Sequence, residues 1–329
     1  MAEFNKITDN KKDIDRSNPL SSEDFFPYST YRPEQKETID KLAVSIKKRS
    51  ISLLIAPNGT GKTPINLSSV LPEAINKDRR IIYVARTHTQ CERVIDELIL
   101  INNIKFSNSK RKISGIALRG RGEMCLNPTV NKLKPKEQMD RCSKLKKNGN
   151  CQYHSNMYIK EDSTAKFDLR QFQNQCVKAP ELLDFCKRKK FCPYLFSKEL
   201  IKDTDVIVCN YIWIFHPFIR SSLLFTSMVS IEDSIIIIDE CHNLINIANE
   251  LNSYSLSEKT IKDALTQLKK VSDQESKFYD EDICKKIQDI KALDRIRVTS
   301  SMIYEAKKQY ELKENSAAAT FPIAFRLDK

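Results

Sequence analysis

A glycine-bearing turn most strongly constrains the fold of this chain. The turn is Ala56-Pro-Asn-Gly-Thr-Gly-Lys62-Thr63, and a short apolar segment, Ile51-Ser-Leu-Leu-Ile55, leads directly into it. We expect that segment to be a strand and Lys62-Thr63 to begin a helix. A strand, a glycine turn and a helix start together form a phosphate cradle, because backbone N–H groups and the helix N-terminus point at the anion. The alternative is a glycine loop that arose by chance.

The residues of this turn have distinct expected roles. Lys62 would reach the β- and γ-phosphates of ATP, and Thr63 would ligate Mg²⁺. Upstream, Arg32 and Gln35 lie at a distance that suits contact with the adenine, although the same residues could simply begin a helix. The expected ATP-binding residues of the turn are Asn58, Gly59, Thr60, Gly61, Lys62 and Thr63.

A second motif follows far downstream, where four isoleucines, Ile235–Ile238, precede Asp239 and Glu240. Ligands bind at the carboxyl edge of a parallel sheet, and both carboxylates are predicted to lie there. Asp239 would hold Mg²⁺ directly or through water, and Glu240 would orient and deprotonate the attacking water. An acidic helix cap is the alternative. We expect His242 to couple ATP state to motion rather than to perform chemistry.

Short apolar runs that alternate with helical patterns predict the fold class. Residues 80–85, 205–209 and 234–238 are further candidate strands. Buried strands of this kind, separated by helices, are typical of an α/β fold whose parallel sheet is covered on both faces.

The alternation of predicted strands and helices also predicts the domain organisation. Residues 1–24 are polar and predict a flexible leader. Residues 25–121 and 201–249 predict one ATP-binding domain. Residues 122–200 are lysine-rich, carry cysteines and have few strand signals, so they predict an inserted domain. Residues 250–329 are polar and helical.

Composition limits the partners and the compartment. The chain has 329 residues and a formal net charge of +12, which suits either a solvated surface or a polyanionic partner. No stretch approaches the roughly 18 apolar residues of a membrane span, and the N-terminus lacks a signal-peptide pattern. We therefore expect an intracellular protein without a membrane partner, cytoplasmic in a prokaryote and nuclear in a eukaryote. There, its ten cysteines would be free thiols or metal ligands.

Taken in order, the motifs resemble those of superfamily 2 helicases of the xeroderma pigmentosum group D (XPD) type, with their FANCJ and RTEL relatives. The resemblance covers roughly residues 25–245. It rests on the following segments: Tyr31-Arg-Pro-Glu-Gln35, the turn at 56–63, Arg86-Thr-His-Thr-Gln90, four cysteines, Phe191-Cys-Pro-Tyr194, Asn210-Tyr211 and Asp239-Glu-Cys-His-Asn-Leu244.

The resemblance implies a RecA-like, P-loop motor domain interrupted by an iron–sulfur cluster domain and followed by the start of a helical arch. It implies a 5′ to 3′ DNA helicase that uses ATP and Mg²⁺ on single-stranded and forked DNA in DNA repair. The family also needs a second RecA-like domain, for which we find no motif after residue 244. We expect the chain to be the N-terminal half of a helicase, or one subunit of a split one, with slow turnover unless that domain is supplied in cis or in trans.

Four cysteines in the insertion are candidate metal ligands. They are separated by 16, 8 and 40 residues, which is not a zinc-finger spacing. Four thiolates from well-separated turns can ligate a [4Fe–4S] cluster, and the resemblance implies an arginine beside it, Arg121. Zinc is the alternative metal, and Cys176, Cys186 or His154 could replace a ligand. The expected ligands are Cys125, Cys142, Cys151 and Cys192.

Thr87 and His88 follow the candidate strand at 80–85 and are the expected contacts to the DNA backbone, since hydroxyl and imidazole donors position DNA without reading sequence. A polar loop at the end of a strand is the alternative. Two rival functions stay open: a non-motor, metal-stabilised protein that binds single-stranded DNA, and a zinc-bearing nucleotide switch with a protein partner.

Overall fold

The computed structural model describes residues 19–109, 112–158, 164–228 and 230–252, together with residues 263 and 266. Most of the predicted leader and nearly all of the predicted arch therefore lie outside the described residues. Residues 19–252 carry the sheet, the helices and every candidate site residue.

A parallel sheet of five strands organises this part of the chain. The strand order is β3-β2-β4-β1-β5, which places β1 between β4 and β5. The strands are β1 (Arg80–Ala85), β2 (Gly115–Ala117), β3 (Cys176–Val177), β4 (Val206–Asn210) and β5 (Ser234–Ile238).

Helices connect the strands and cover the sheet. They are α1 (Gln35–Lys47), α2 (Lys62–Asn76), α3 (His88–Lys105), α4 (Arg121–Met124), α5 (Pro135–Lys147), α6 (Gln152–Tyr158), α7 (Thr164–Gln171), α8 (Ala179–Lys189), α9 (Pro193–Leu200), α10 (Tyr211–Phe215), α11 (Pro217–Ser227) and α12 (Leu244–Asn252). Two short 3₁₀ helices cover Ser22–Phe25 and Cys241–Asn243.

The alternation of side chains along β1 divides the interior into two cores. Ile81 and Tyr83 pack with apolar residues of α2 and α3. Ile82 and Val84 point to the opposite face, where α8, α9, α10 and α11 pack. Successive side chains of a strand point to opposite faces, so a strand with helices on both sides must be apolar throughout. The predicted α/β fold with a covered parallel sheet is confirmed.

The predicted strands differ in their outcomes. The strands predicted at 80–85 and 234–238 have the observed bounds, and the one predicted at 205–209 lies at 206–210. The strand predicted at Ile51–Ile55 is wrong. That segment has no strand hydrogen bonds, and the side chains of Ile51, Leu53 and Ile55 are exposed. A strand needs a neighbour that takes its backbone hydrogen bonds, and no described strand lies beside this segment.

Parts of two predicted segments join the core of the domain. Within the predicted leader, Leu20 exchanges two hydrogen bonds with the side chain of Asn76, at 3.3 and 3.0 Å. Within the predicted insertion, Cys176 and Val177 form β3 and pair with β2. The domain boundaries themselves stay predictions. In the described part of the chain, no helix combines the length and apolar character that crossing a membrane requires.

Asn102 fixes the approach to β2, and its replacement tests that role. Its buried amide donates to the carbonyl of Ile113 at 2.8 Å and accepts from the Ile113 N–H at 2.9 Å. Asn102→Leu should lower the free energy of unfolding by about 1–3 kcal/mol, because the N–H of Ile113 loses its partner and its carbonyl keeps only the Cys176 thiol. Urea unfolding measures this change. Asn103→Leu, at the exposed neighbouring position of α3, should change stability by less than about 0.5 kcal/mol. Equal effects of the two variants would contradict the role given to Asn102.

Candidate functional site

The turn before α2 has the backbone conformation of a tight loop around an anion. Gly59 and Gly61 have φ angles of +84° and +78°, in the left-handed region that favours glycine. A Cβ added to Gly61 would lie 2.6 Å from Nε2 of Gln35, so the loop packs too closely for a side chain there. Lys62 then begins α2, which directs the N-terminus of a 15-residue helix at the loop.

Side chains on both sides hold this loop in shape. The Lys62 ammonium donates to the carbonyls of Ala56 and Pro57 at 3.2 and 3.0 Å, so it lies inside the loop. Nε2 of Gln35 donates to the carbonyl of Thr60 at 2.7 Å, and Arg32 donates to the carbonyl of Gly59. Arg32 and Gln35 therefore support the loop. Their contact with adenine stays a prediction.

The acidic pair lies at the carboxyl end of β5, as expected. The N–H of Asp239 donates to the carbonyl of Val84 in β1 at 2.8 Å, which continues the sheet for one more residue. Glu240 then adopts a left-handed conformation with φ +49°, which is uncommon for a residue with a side chain. Its N–H donates to Oδ1 of Asp239 at 3.1 Å. This turn ends the strand and separates the two carboxylates.

The electrostatics of Asp239 connect the two motifs. Burial raises the pKa of Asp239 above its ordinary value of 3.8, and the charge of Glu240 raises it further. The Lys62 ammonium acts in the opposite direction on the same pKa. Helix α2, which begins at Lys62, packs against β5, which ends just before Asp239, so the fold brings the two motifs near each other. A cation and a carboxylate beside a glycine loop suit the binding of a metal-bound polyphosphate.

Two residues without a predicted role hold the acidic turn. The Tyr211 hydroxyl donates to the carbonyls of Asp239 and Glu240, the latter at 3.1 Å. Nε2 of Gln90, in the first turn of α3, donates to Oε1 of Glu240 at 3.0 Å. Both belong to segments that carry the sequence resemblance, but nothing in their local sequence indicates these contacts.

The two expected DNA contacts lie at the same edge of the sheet. Thr87 is exposed and caps α3, where its hydroxyl accepts from the N–H of Gln90 at 3.2 Å. Nε2 of His88 lies 3.0 Å from Oε1 of Glu123. A phosphate at His88 would have to compete with that carboxylate, whereas Thr87 is open to solvent. Both DNA contacts stay predictions.

The four candidate ligands line one cavity, part of which is open to solvent. Arg121, His154 and Tyr194 also line it, and the Arg121 guanidinium lies 4.9 Å from the centre of the Tyr194 ring. The pKa of Cys192 is raised to about 11, mainly by burial and also by the nearby candidate ligands. The thiols are Cys125, Cys142, Cys151 and Cys192.

Thiolates are the ligand type of both iron–sulfur clusters and structural zinc. A Zn–S distance of about 2.3 Å places tetrahedral ligand sulfurs only about 3.8 Å apart. Among the described residues, no three Cys, His, Asp or Glu side chains converge closely enough to hold one ion. Of the alternative ligands, His154 lines the cavity, whereas Cys176 and Cys186 pack in the two cores.

The raised pKa of Asp239 predicts how the stability of this site depends on pH. An acid with a higher pKa in the folded state destabilises the fold when charged, and this cost disappears as the pH falls below its unfolded pKa. Without nucleotide or Mg²⁺, Asp239→Asn should therefore raise the melting temperature at pH 7 by about 2 °C, and the difference should shrink towards pH 4. Thermal unfolding monitored by circular dichroism measures both. Asp184→Asn, at an exposed position of α8, is the control. A lower melting temperature for Asp239→Asn at pH 7 would contradict this assignment.

Comparisons with known proteins agree with the sequence resemblance. The XPD/RAD3 helicase subunit of general transcription and DNA repair factor IIH from Saccharomyces cerevisiae is 27% identical over 260 residues, which cover 73% of this chain and 32% of that protein. The XPD subunit from Arabidopsis thaliana is 25% identical over 274 residues, which cover 77% and 35%. The ATP-dependent DNA helicase chl1 from Schizosaccharomyces pombe is 29% identical over 192 residues, which cover 58% and 21%.

The chain thus spans about a third or less of the length of these curated relatives. A family model described as DEAD_2 matches residues 83–261. This match includes the acidic pair and the four cysteines and begins after the glycine turn. Since it extends over more than half of the chain, the protein belongs to the DEAD_2 family of XPD-type helicases.

Proposed function

We propose that this chain is the ATP-binding motor part of an XPD-type DNA helicase. The proposal rests on one observation: two motifs that are far apart in the sequence lie near each other in the fold. Lys62 and Asp239 are 177 positions apart, yet α2, which begins at Lys62, packs against β5, which ends just before Asp239. The relatives' names describe DNA helicases and a DNA repair factor, which supports DNA as the substrate and repair as the process.

The residues of the site have complementary roles in ATP hydrolysis. The backbone of the glycine loop and the N-terminus of α2 would bind the phosphates, and Lys62 would neutralise charge on the β- and γ-phosphates. Thr63 and Asp239 would hold Mg²⁺, with Asp239 acting directly or through water. Glu240 would orient a water molecule towards the γ-phosphate and take its proton. Tyr211 keeps the backbone of Asp239 and Glu240 in place for these roles.

Hydrolysis would move the chain along one DNA strand. Thr87 and His88 would contact the phosphate backbone, with movement in the 5′ to 3′ direction on single-stranded or forked DNA. A second RecA-like domain, in cis or in trans, would close on the nucleotide and complete the motor. The basic net charge of +12 favours association with such a polyanion.

The cysteine cavity would hold a [4Fe–4S] cluster through Cys125, Cys142, Cys151 and Cys192. Bound there, the cluster would act as a structural crosslink between separate turns rather than as a redox catalyst. The positive charge of the neighbouring Arg121 would stabilise the net negative charge of the cluster. The apolar part of the cavity lining, which includes Leu126 and Leu195, would limit the access of water.

Nucleotide binding and hydrolysis test the motor assignment with two substitutions. Lys62→Ala should weaken the binding of fluorescent Mg-ATP at least tenfold, because the phosphates lose a charged donor. Glu240→Gln should leave that affinity within about twofold and slow hydrolysis roughly a hundredfold, because the base for the water is lost. Fluorescence titration and release of labelled phosphate provide the two measurements.

The control for this experiment is Lys77→Ala, which removes an exposed lysine at the other end of α2. It should match the wild type in both measurements. Equal ATP binding by wild type and Lys62→Ala would contradict the motor proposal. Tight binding of DNA, with no DNA-stimulated hydrolysis even when a second motor domain is supplied, would favour a non-motor, single-strand-binding protein.

Metal analysis of anaerobically purified protein tests the cluster. We expect about four irons and matching acid-labile sulfide per chain, and a loss of most of both in Cys125→Ser and Cys192→Ser. Cys176→Ser removes a cysteine outside the cavity and should retain the iron. Zinc without sulfide would refute the iron–sulfur assignment and leave the nucleotide site unaffected. Retained iron in Cys192→Ser would exclude that ligand.

A further inference from the structure

One side chain connects the candidate DNA contact to the candidate catalytic base. Oε1 of Gln90 accepts from the backbone N–H of Thr87 at 2.9 Å and lies 3.1 Å from the Thr87 hydroxyl. Nε2 of the same amide donates to Oε1 of Glu240 at 3.0 Å. The amide thus joins the first turn of α3 to the end of β5, across 150 residues of sequence.

We propose that Gln90 is a positioning residue that restrains Glu240 until a DNA phosphate takes the hydroxyl hydrogen of Thr87. The inference rests on the proposed function and adds to it a means by which DNA regulates hydrolysis. Gln90 itself contacts neither ATP nor DNA in this scheme. It acts through the orientation of Glu240.

The hydrogen-bond capacity of Thr87 makes the two contacts compete. A hydroxyl has one hydrogen to donate, and that of Thr87 is directed at Oε1 of Gln90. The oxygen of Thr87 already accepts from the N–H of Gln90 at 3.2 Å. A phosphate is only an acceptor, so it can bind this hydroxyl only by taking the hydrogen from Gln90. Binding of DNA to the Thr87 hydroxyl would therefore remove one of the hydrogen bonds that hold the Gln90 amide.

On the other side, Gln90 holds one oxygen of the Glu240 carboxylate. Tyr211 and Asn243 donate to the backbone carbonyl of Glu240, at 3.1 Å in each case, and so fix the turn. Neither contacts its carboxylate through these bonds. The bond from the Gln90 amide fixes the orientation of the carboxylate, and a general base must reach the proton it takes. Release of the amide would let the carboxylate turn towards the water molecule.

A simpler role for Gln90 is to cap α3, because it forms a capping box with Thr87. Two substitutions separate the roles. Gln90→Leu removes both the acceptor for Thr87 and the donor to Glu240. Gln90→Glu keeps the acceptor for the cap and replaces the donor to Glu240 with a carboxylate that repels it. If Gln90 only caps α3, Gln90→Glu should behave like the wild type. If Gln90 restrains Glu240, both variants should hydrolyse ATP with less dependence on DNA.

The experiment measures two properties of the full chain. The first is release of labelled phosphate from Mg-ATP with and without a single-stranded oligothymidine. Gln90→Leu and Gln90→Glu should both raise the DNA-independent rate at least threefold and keep the stimulated rate within twofold of wild type. The second is oligothymidine affinity by fluorescence anisotropy without nucleotide. Gln90→Leu should bind about threefold more tightly because the Thr87 hydroxyl is released, and Thr87→Val should bind more weakly.

Gln171→Leu, at an exposed glutamine of α7, is the matched control and should not differ from wild type. Melting temperatures verify that each variant is folded. If Gln90→Leu binds oligothymidine no more tightly than wild type, or if Gln90→Glu keeps wild-type stimulation by DNA, the restraint is refuted and only the cap remains. A wild type that binds Mg-ATP no better than Lys62→Ala instead refutes the proposed function, and the inference with it.

Discussion

The parallel pairing of β1 with β4 and β5 determines where the acidic pair, Tyr211 and the first turn of α3 lie. In the observed register Ala85 is opposite Asn210, and Val84 is opposite Ile238. The three strands therefore end at one edge, and the residues that follow each of them meet there. A shift of one residue in this register would turn the side chains of a strand to the other face. The two apolar cores, one on each face, oppose such a shift.

Helix α3 gives this edge a rigid connection to the cysteine-bearing segment. Its first turn contacts Glu240 through Gln90, and two residues further Oε1 of Glu92 accepts from Arg119 at 3.0 Å and from the N–H of Ala179 at 3.3 Å. Arg119 precedes the cysteine-bearing segment in sequence, and Ala179 begins α8 within that segment. Exposed ion pairs contribute little to stability, but the Glu92 side chain is only 17% exposed and binds both partners with one oxygen. A shift of α3 would therefore displace groups at both the candidate nucleotide site and the cysteine-bearing segment.

The sequence allowed the long strands and the local motifs to be predicted and left the contacts between them undetermined. β1 has five apolar residues after Arg80, and β5 has four isoleucines after Ser234, so both give a clear strand signal. β2 and β3 have three and two residues, too few for any periodicity. Ile51–Ile55 has the composition of a strand, but strand formation depends on a partner that composition does not specify. Likewise, the bond from Gln90 to Glu240 arises from tertiary packing, whereas the glycine turn is a property of eight consecutive residues.

A group bound in the cysteine cavity would stabilise the packing of α5. None of the described side chains of α5 is fully buried, so this helix gains little stability from apolar packing. Cys142 lies on α5, whereas Cys192 immediately precedes α9, and Phe196 of α9 is part of the core on one face of the sheet. A group ligated by both thiols would attach α5 to an element that is already anchored. Since burial raises the pKa of Cys192 to about 11, ligation must release its proton, and the stability of this segment should then depend on metal and pH together.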